Sequence, residues 1–107
     1  MKTYVCHTDA GHGWIAVKRK ELIRLGIIDE ISHFSYQRGD TVYLEEDADA
    51  TLFFNAKEAL GEEVPMRTSY QEYSRIRGYD SFSKVDLKSV SQKLINSFGP
   101  VYSKLSN

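Results

Sequence analysis

The chain of 107 residues has the length of one domain, and a composition of 41% hydrophobic and 27% charged residues excludes both a disordered polymer and a fibrous repeat. A single cysteine excludes an internal disulfide, the opening residues lack the apolar core of a signal peptide, and no run approaches the roughly 20 apolar residues of a membrane span, so the expected compartment is the cytoplasm. Net charge is −1, but residues 40–63 hold eight acids and one lysine, net −7, which leaves +6 elsewhere and suits either a solvated face or a charged partner.

Residues 3–7 alternate around Tyr4, Val5 and Cys6 and predict a first strand. The glycines of Asp9-Ala10-Gly11-His12-Gly13 then form a turn, and Trp14-Ile15-Ala16-Val17 predicts the second strand of a hairpin. Over residues 18–25, Leu22 and Leu25 stand at helical spacing and Gly26 is placed as a C-terminal cap. The segment 27–32 is apolar but irregular and fits a turn or another short helix equally.

Thr41-Val42-Tyr43-Leu44-Glu45 alternates after the turn signal Arg38-Gly39-Asp40, which puts Val42 and Leu44 on one face and Tyr43 and Glu45 on the other. Asp47 or Asp49 can cap the next helix, whose inward side is Leu52, Phe53, Ala56 and Leu60 and which Gly61 can end. Pro65 confines any strand over 62–68 to a sheet edge, because it has no N–H for the ladder. Residues 69–83 read as a long polar and aromatic loop. Leu87, Val90, Leu94 and Phe98 then predict a terminal amphipathic helix that Gly99-Pro100 stops, able to dock on the sheet or pair with a second copy as a homodimer.

The expected architecture is α+β, a small antiparallel or mixed sheet of three to four strands with two to three helices. Residues 1–107 make one domain, and 84–107 form its helical C-terminal extension.

Cys6, His7, Asp9 and His12, with His33 from elsewhere, are the densest group of metal-ligand types, but their spacing matches no zinc pattern, and Cys6 and His7 point to opposite faces of a strand. No metal and no cofactor is expected. His7 and Asp9 could share a face as an oriented base, although such residues at strand ends usually bond nearby backbone. His33-Phe34-Ser35 matches half of a paired-histidine phosphoesterase motif whose second triplet is absent. No nucleophile stands in an activating motif, so no residue is given a catalytic role and an enzyme is not favoured.

Two segments fit ligand or partner recognition. Gly11-His12-Gly13-Trp14 can place backbone N–H groups, an imidazole and an indole around an anion or base, or can simply be a glycine turn before a core tryptophan. Tyr70, Tyr73, Arg75, Arg77 and Tyr79 interleave guanidinium donors with aromatic faces, as phosphate and base recognition and protein interfaces all require. A sequence pI near 6.3 weighs against tight nonspecific DNA binding.

Taken together, Gly11-His12-Gly13-Trp14, Leu25-Gly26-Ile27, Ser35-Tyr36-Gln37-Arg38-Gly39 and Val42-Tyr43-Leu44-Glu45-Glu46-Asp47 resemble a group of small uncharacterised bacteriophage and prophage proteins across roughly residues 4–60. The group has no assigned activity. The resemblance implies an accessory protein that binds a host or phage macromolecule, antagonising a host enzyme or defence system.

The leading expectation is therefore a protein partner bound through Tyr70, Tyr73, Arg75, Arg77 and Tyr79, which fails if Arg75 and Arg77 are buried and internally paired. The alternative is a protein that binds or hydrolyses a nucleotide or other small ligand, with His7, His12 and Trp14 lining a cleft beside Arg75 or Arg77. A nucleic-acid binder, needing a basic stripe through Lys18, Arg19, Lys20 and Arg24, ranks third.

Overall fold

A computed structural model of the chain describes residues 2–83. The helix expected over 86–98, and with it the pairing of two copies, lies outside the described residues.

Six strands form one mixed sheet, where three to four were expected. They are β1 (Tyr4–Thr8), β2 (Gly13–Lys18), β3 (Tyr36–Arg38), β4 (Thr41–Glu45), β5 (Met66–Tyr70) and β6 (Asp80–Ser81), in the spatial order β5-β1-β2-β4-β3-β6. All neighbours run antiparallel except β1 and β5, which are parallel. Helices α1 (Arg19–Arg24) and α2 (Ala50–Ala59) supply the α part.

The strands that raise the count are short and set by their neighbours. Arg38 pairs with Thr41, so Gly39-Asp40 is a two-residue hairpin loop, and Gly39 has φ +60°, as the first turn position of a type II′ hairpin requires. The turn signal therefore carries a strand on each side. Strand β6 is two residues against Tyr36 and Gln37, too brief to leave a periodic signal. The expected loop over 69–83 accordingly contains the end of β5, a 3₁₀ turn at Arg75–Gly78 and β6. Strand β5 does stand at a sheet edge, directly after Pro65.

Register sorts the side chains onto two faces. Cys6, Ile15 and Leu44 are opposite one another across β1, β2 and β4, as are Val17 and Val42 across β2 and β4. This face carries the core, which α1 and α2 close with Leu22, Ala50 and Phe53, the last meeting the Tyr4 ring edge-on at 5.2 Å. The other face presents the row His7, Trp14 and Glu45 and the row Ala16, Tyr43 and Tyr36. Burial of Ile76 and Ser74, the Tyr43–Tyr79 ring contact at 5.2 Å and the Arg77 guanidinium 5.5 Å from the Trp14 ring place residues 74–79 over this second face.

Helix α1 ends ahead of Gly26 as the sequence predicts, and the irregular segment after it holds a 3₁₀ turn at Ile28–Glu30. Helix α2 also forms as expected, with two corrections. Asp49 is its N-cap residue, but the carboxylate turns away from the helix and accepts from Ser32 N, Ser32 Oγ and Ser35 Oγ. Leu60 follows the last helical turn and is 56% exposed, while the inward position one turn earlier is taken by Lys57. Gly61, at φ +69°, allows the reversal in which Gly61 and Glu62 donate to the Glu58 and Lys57 carbonyls. Among the described residues no helix is long and apolar enough to cross a membrane.

Candidate functional site

The site is organised by the β1–β2 turn. Asp9 bonds its own backbone N–H to the His12 carbonyl, and its carboxylate accepts from Gly11 N and His12 N at 3.0 Å, closing the turn locally. The same carboxylate reaches across the fold to Ser74 N (3.1 Å) and takes both Nε (2.6 Å) and Nη2 (2.8 Å) of Arg77. Five N–H donors thus converge on one enclosed side chain. Arg77 above all, with the backbone donors, outweighs the opposing effect of burial and holds the Asp9 carboxyl far below the usual range, and Asp9 in turn raises Arg77.

This pair corrects the expectation for Arg77 and settles the part Asp9 plays in the fold. Arg77 is not a free surface donor: its fork is occupied by Asp9 and its Cζ lies 5.5 and 5.6 Å from the ring centres of Trp14 and Tyr73. Asp9 is likewise committed to structure and cannot join Cys6 and His7 around an ion or serve as the partner of a His7 base. Cys6 packs against the core on the opposite face from His7, and burial pushes its thiol up.

The five residues expected to bind a ligand divide between two clefts on either flank of the 74–79 segment. His12, Trp14 and Arg77 line one of about 420 Å³, joined by Phe34, Tyr36, Glu45, Asp47 and Ala48. His7 and Arg75 line the other, about 280 Å³, with Tyr43, Ser69, Tyr79 and neighbouring polar residues. Buried Ile76 stands on the wall of this second cleft.

In the first cleft, Trp14 is only 2% exposed, yet its indole N–H has no hydrogen-bond partner, and Glu45 Oε1 is enclosed without one as well. Glu45 Oε2 accepts from Asp47 N at 2.8 Å, which fixes the carboxylate, while Oε1 stays 3.5 Å from His12 Nδ1. Trp14 and Glu45 are cross-strand partners, so both unsatisfied groups belong to one row of the sheet. Tyr36 meets Trp14 edge-on at 6.2 Å, and Phe34, stacked on His33 at 4.5 Å, is exposed at the rim.

His12, Glu45, Glu46 and Asp47 can each bring one ligand atom within 4.8 Å of all the others, an oxygen-rich set of the kind hard divalent ions accept. It shares only His12 with the metal group considered from sequence. Gly13 makes room for it, since a Cβ there would sit 2.7 Å from Glu46 Oε2.

Of the residues expected to meet a partner, Tyr70 and Tyr73 are 61% and 73% exposed. Arg75 is exposed, Tyr79 is half-buried beneath the Arg38 guanidinium at 5.1 Å, and Arg77 is held as described. Sequence reasoning missed Phe34, Tyr36, Glu45 and Asp47. Only Glu45 carried a usable signal, the alternation that puts it on the face opposite Val42 and Leu44.

No protein-family model, no curated protein and no solved structure matches this chain.

Proposed function

We propose that the domain is a non-catalytic binding module and that the cleft beside Trp14 takes an amino-substituted heterocycle of the nucleobase kind. The observation that carries this is a pair of enclosed groups without a hydrogen bond on one sheet row, a donor at Trp14 Nε1 and an acceptor at Glu45 Oε1, the latter 3.5 Å from His12 Nδ1. A buried polar group without a partner costs about 1–3 kcal/mol. Both atoms are enclosed, so the ligand enters with a side-chain shift at the rim, and an edge that then places a ring nitrogen at the indole and an amino group at the carboxylate removes both penalties together. Phe34 and Tyr36 supply ring surface against which a flat molecule packs, and Trp14 forms the floor.

Charge narrows the class. Arg77 is neutralised by Asp9, whereas Glu45, Glu46 and Asp47 lie together, so the cleft repels phosphate and favours a base or nucleoside over a nucleotide. The test is titration with cytidine against N4,N4-dimethylcytidine and adenosine against N6,N6-dimethyladenosine, following the Trp14 indole N–H resonance and its fluorescence. Cytidine and adenosine should shift and quench the signal, and the dimethylated nucleosides, which keep the ring nitrogen but have no amino N–H to donate, should not. An equal response from all four, or none, refutes the reading.

Exposed Tyr70, Tyr73 and Arg75 favour a second reading, in which the module also meets a host or phage macromolecule as a phage-type accessory protein would. Tyr70→Ala with Tyr73→Ala should then abolish co-purification of a partner while leaving nucleoside binding intact. A partner retained by the double variant sinks that reading.

A further inference from the structure

We infer that the cleft on the other flank of the 74–79 segment is a phosphate-binding site, built by Arg75, His7 and the polar groups of Ser69, Gln71 and Tyr79. This assignment is independent of the nucleobase reading. No carboxylate is among the lining residues, in contrast with the acidic cleft beside Trp14.

Three guanidinium groups act on this region. Arg75 lines the cleft and makes no side-chain hydrogen bond or ion pair among the described residues, so its fork is free for an oxyanion. Arg67, on β5, is near enough for its charge to act on His7, and Arg38 lies 5.1 Å from the Tyr79 ring centre. A planar guanidinium matches a phosphate edge with two parallel hydrogen bonds, which a solvent-facing lysine cannot do.

Neutral donors complete the set. The Ser69 and Tyr79 hydroxyls and the Gln71 amide can each donate a hydrogen bond to a phosphate oxygen. Burial, with Arg67 adding to it, lowers the His7 pKa, which leaves a neutral ring that still donates one N–H. A volume of about 280 Å³ lies just below the roughly 300–1,000 Å³ typical of ligand sites and suits a phosphate with a small substituent.

The experiment is an amide-resolved NMR titration with inorganic phosphate, with ribose 5-phosphate and with sodium chloride at matched ionic strength, on the parent protein and on Arg75→Ala and Trp14→Phe. Saturable shifts should centre on His7, Ser69, Gln71 and Arg75, weaken tenfold or more in Arg75→Ala and persist in Trp14→Phe. Stronger binding by ribose 5-phosphate assigns the site to a phosphate ester, and equal binding assigns it to the free anion. Arg75 is exposed, so its truncation leaves the fold intact and the comparison readable. Shifts that chloride reproduces, that spread to Lys18, Lys20 and Arg24, or that survive Arg75→Ala overturn the assignment.

Discussion

Lys57→Met asks how much the polar cluster beneath the sheet contributes to stability. Lys57 projects inward from α2 with its side chain 7% exposed, and its ammonium donates to Tyr4 Oη (3.0 Å), Glu21 Oε2 (3.1 Å) and Glu62 Oε1 (2.8 Å). All three of its protons are used. Methionine keeps most of the stem beside Tyr4 and Phe53 but removes the charge.

The partners suffer unequally. Glu62 is 36% exposed and can be rehydrated, whereas Glu21 is 11% exposed and keeps only the Tyr4 hydroxyl at 2.7 Å, Arg24 at 3.3 Å and Lys2 at 3.6 Å. The expected loss is therefore about 3 kcal/mol, the lower end of the range for breaking a buried pair. In a domain of this size that lowers Tm by about 12–24 °C.

Urea unfolding reads this as a lower midpoint at unchanged slope. Adding Glu21→Gln to Lys57→Met removes the stranded charge and should recover at least about 1 kcal/mol, so the two changes are not additive. A single variant within about 1 kcal/mol of the parent, or strict additivity, would refute the reasoning.

Acid should unfold the protein partly through the same cluster. Arg24 first, then Lys57, lowers Glu62 to about 2, and Tyr4 and Lys57 overcome the upward effect of burial to lower Glu21. Groups depressed in the folded state contribute stability above their unfolded values, so the urea midpoint should fall as pH drops from about 4.5 toward 2. Ser35→Ala removes a wholly buried hydroxyl that donates to Asp49 and accepts from Glu45 N at 3.0 Å, and should cost about 2–3 kcal/mol in urea unfolding. Trp14→Phe leaves a cavity where the smaller ring replaces the indole but deletes a donor without a hydrogen bond, and these effects oppose each other, so calorimetry should find stability within about 1 kcal/mol of the parent while cytidine binding is lost. Arg77→Lys gives up the two-point grip on Asp9 and should lower Tm and broaden the Ser74 and Gly11 amide resonances.

The sequence by itself determined the elements that local pattern can specify. Strand β4 alternates over five residues, β1 and β2 flank a glycine turn, α1 and α2 close at glycines, and β5, next to Pro65, stands at an edge. The grouping of His7, His12 and Trp14 beside Arg75 or Arg77, offered from sequence as an alternative, is divided between two clefts.

Tertiary structure decided the rest, because the deciding contacts are long-range. A strand of two or three residues has no periodicity, so β3 and β6 exist only through the pairing that β4 begins. Asp9 and Asp49 have the residue type of local caps, yet Arg77 and Ser74 claim the first across the fold while Ser32 and Ser35 claim the second. Lys57 stands in the acidic stretch like a solvent-facing charge, and only the meeting of α1, α2 and β1 gives it buried partners. The division of His7 and Arg75 from His12 and Arg77 follows from where the 74–79 segment crosses the sheet, a placement that depends on Ile76 burying its side chain and on Asp9 holding Ser74 and Arg77.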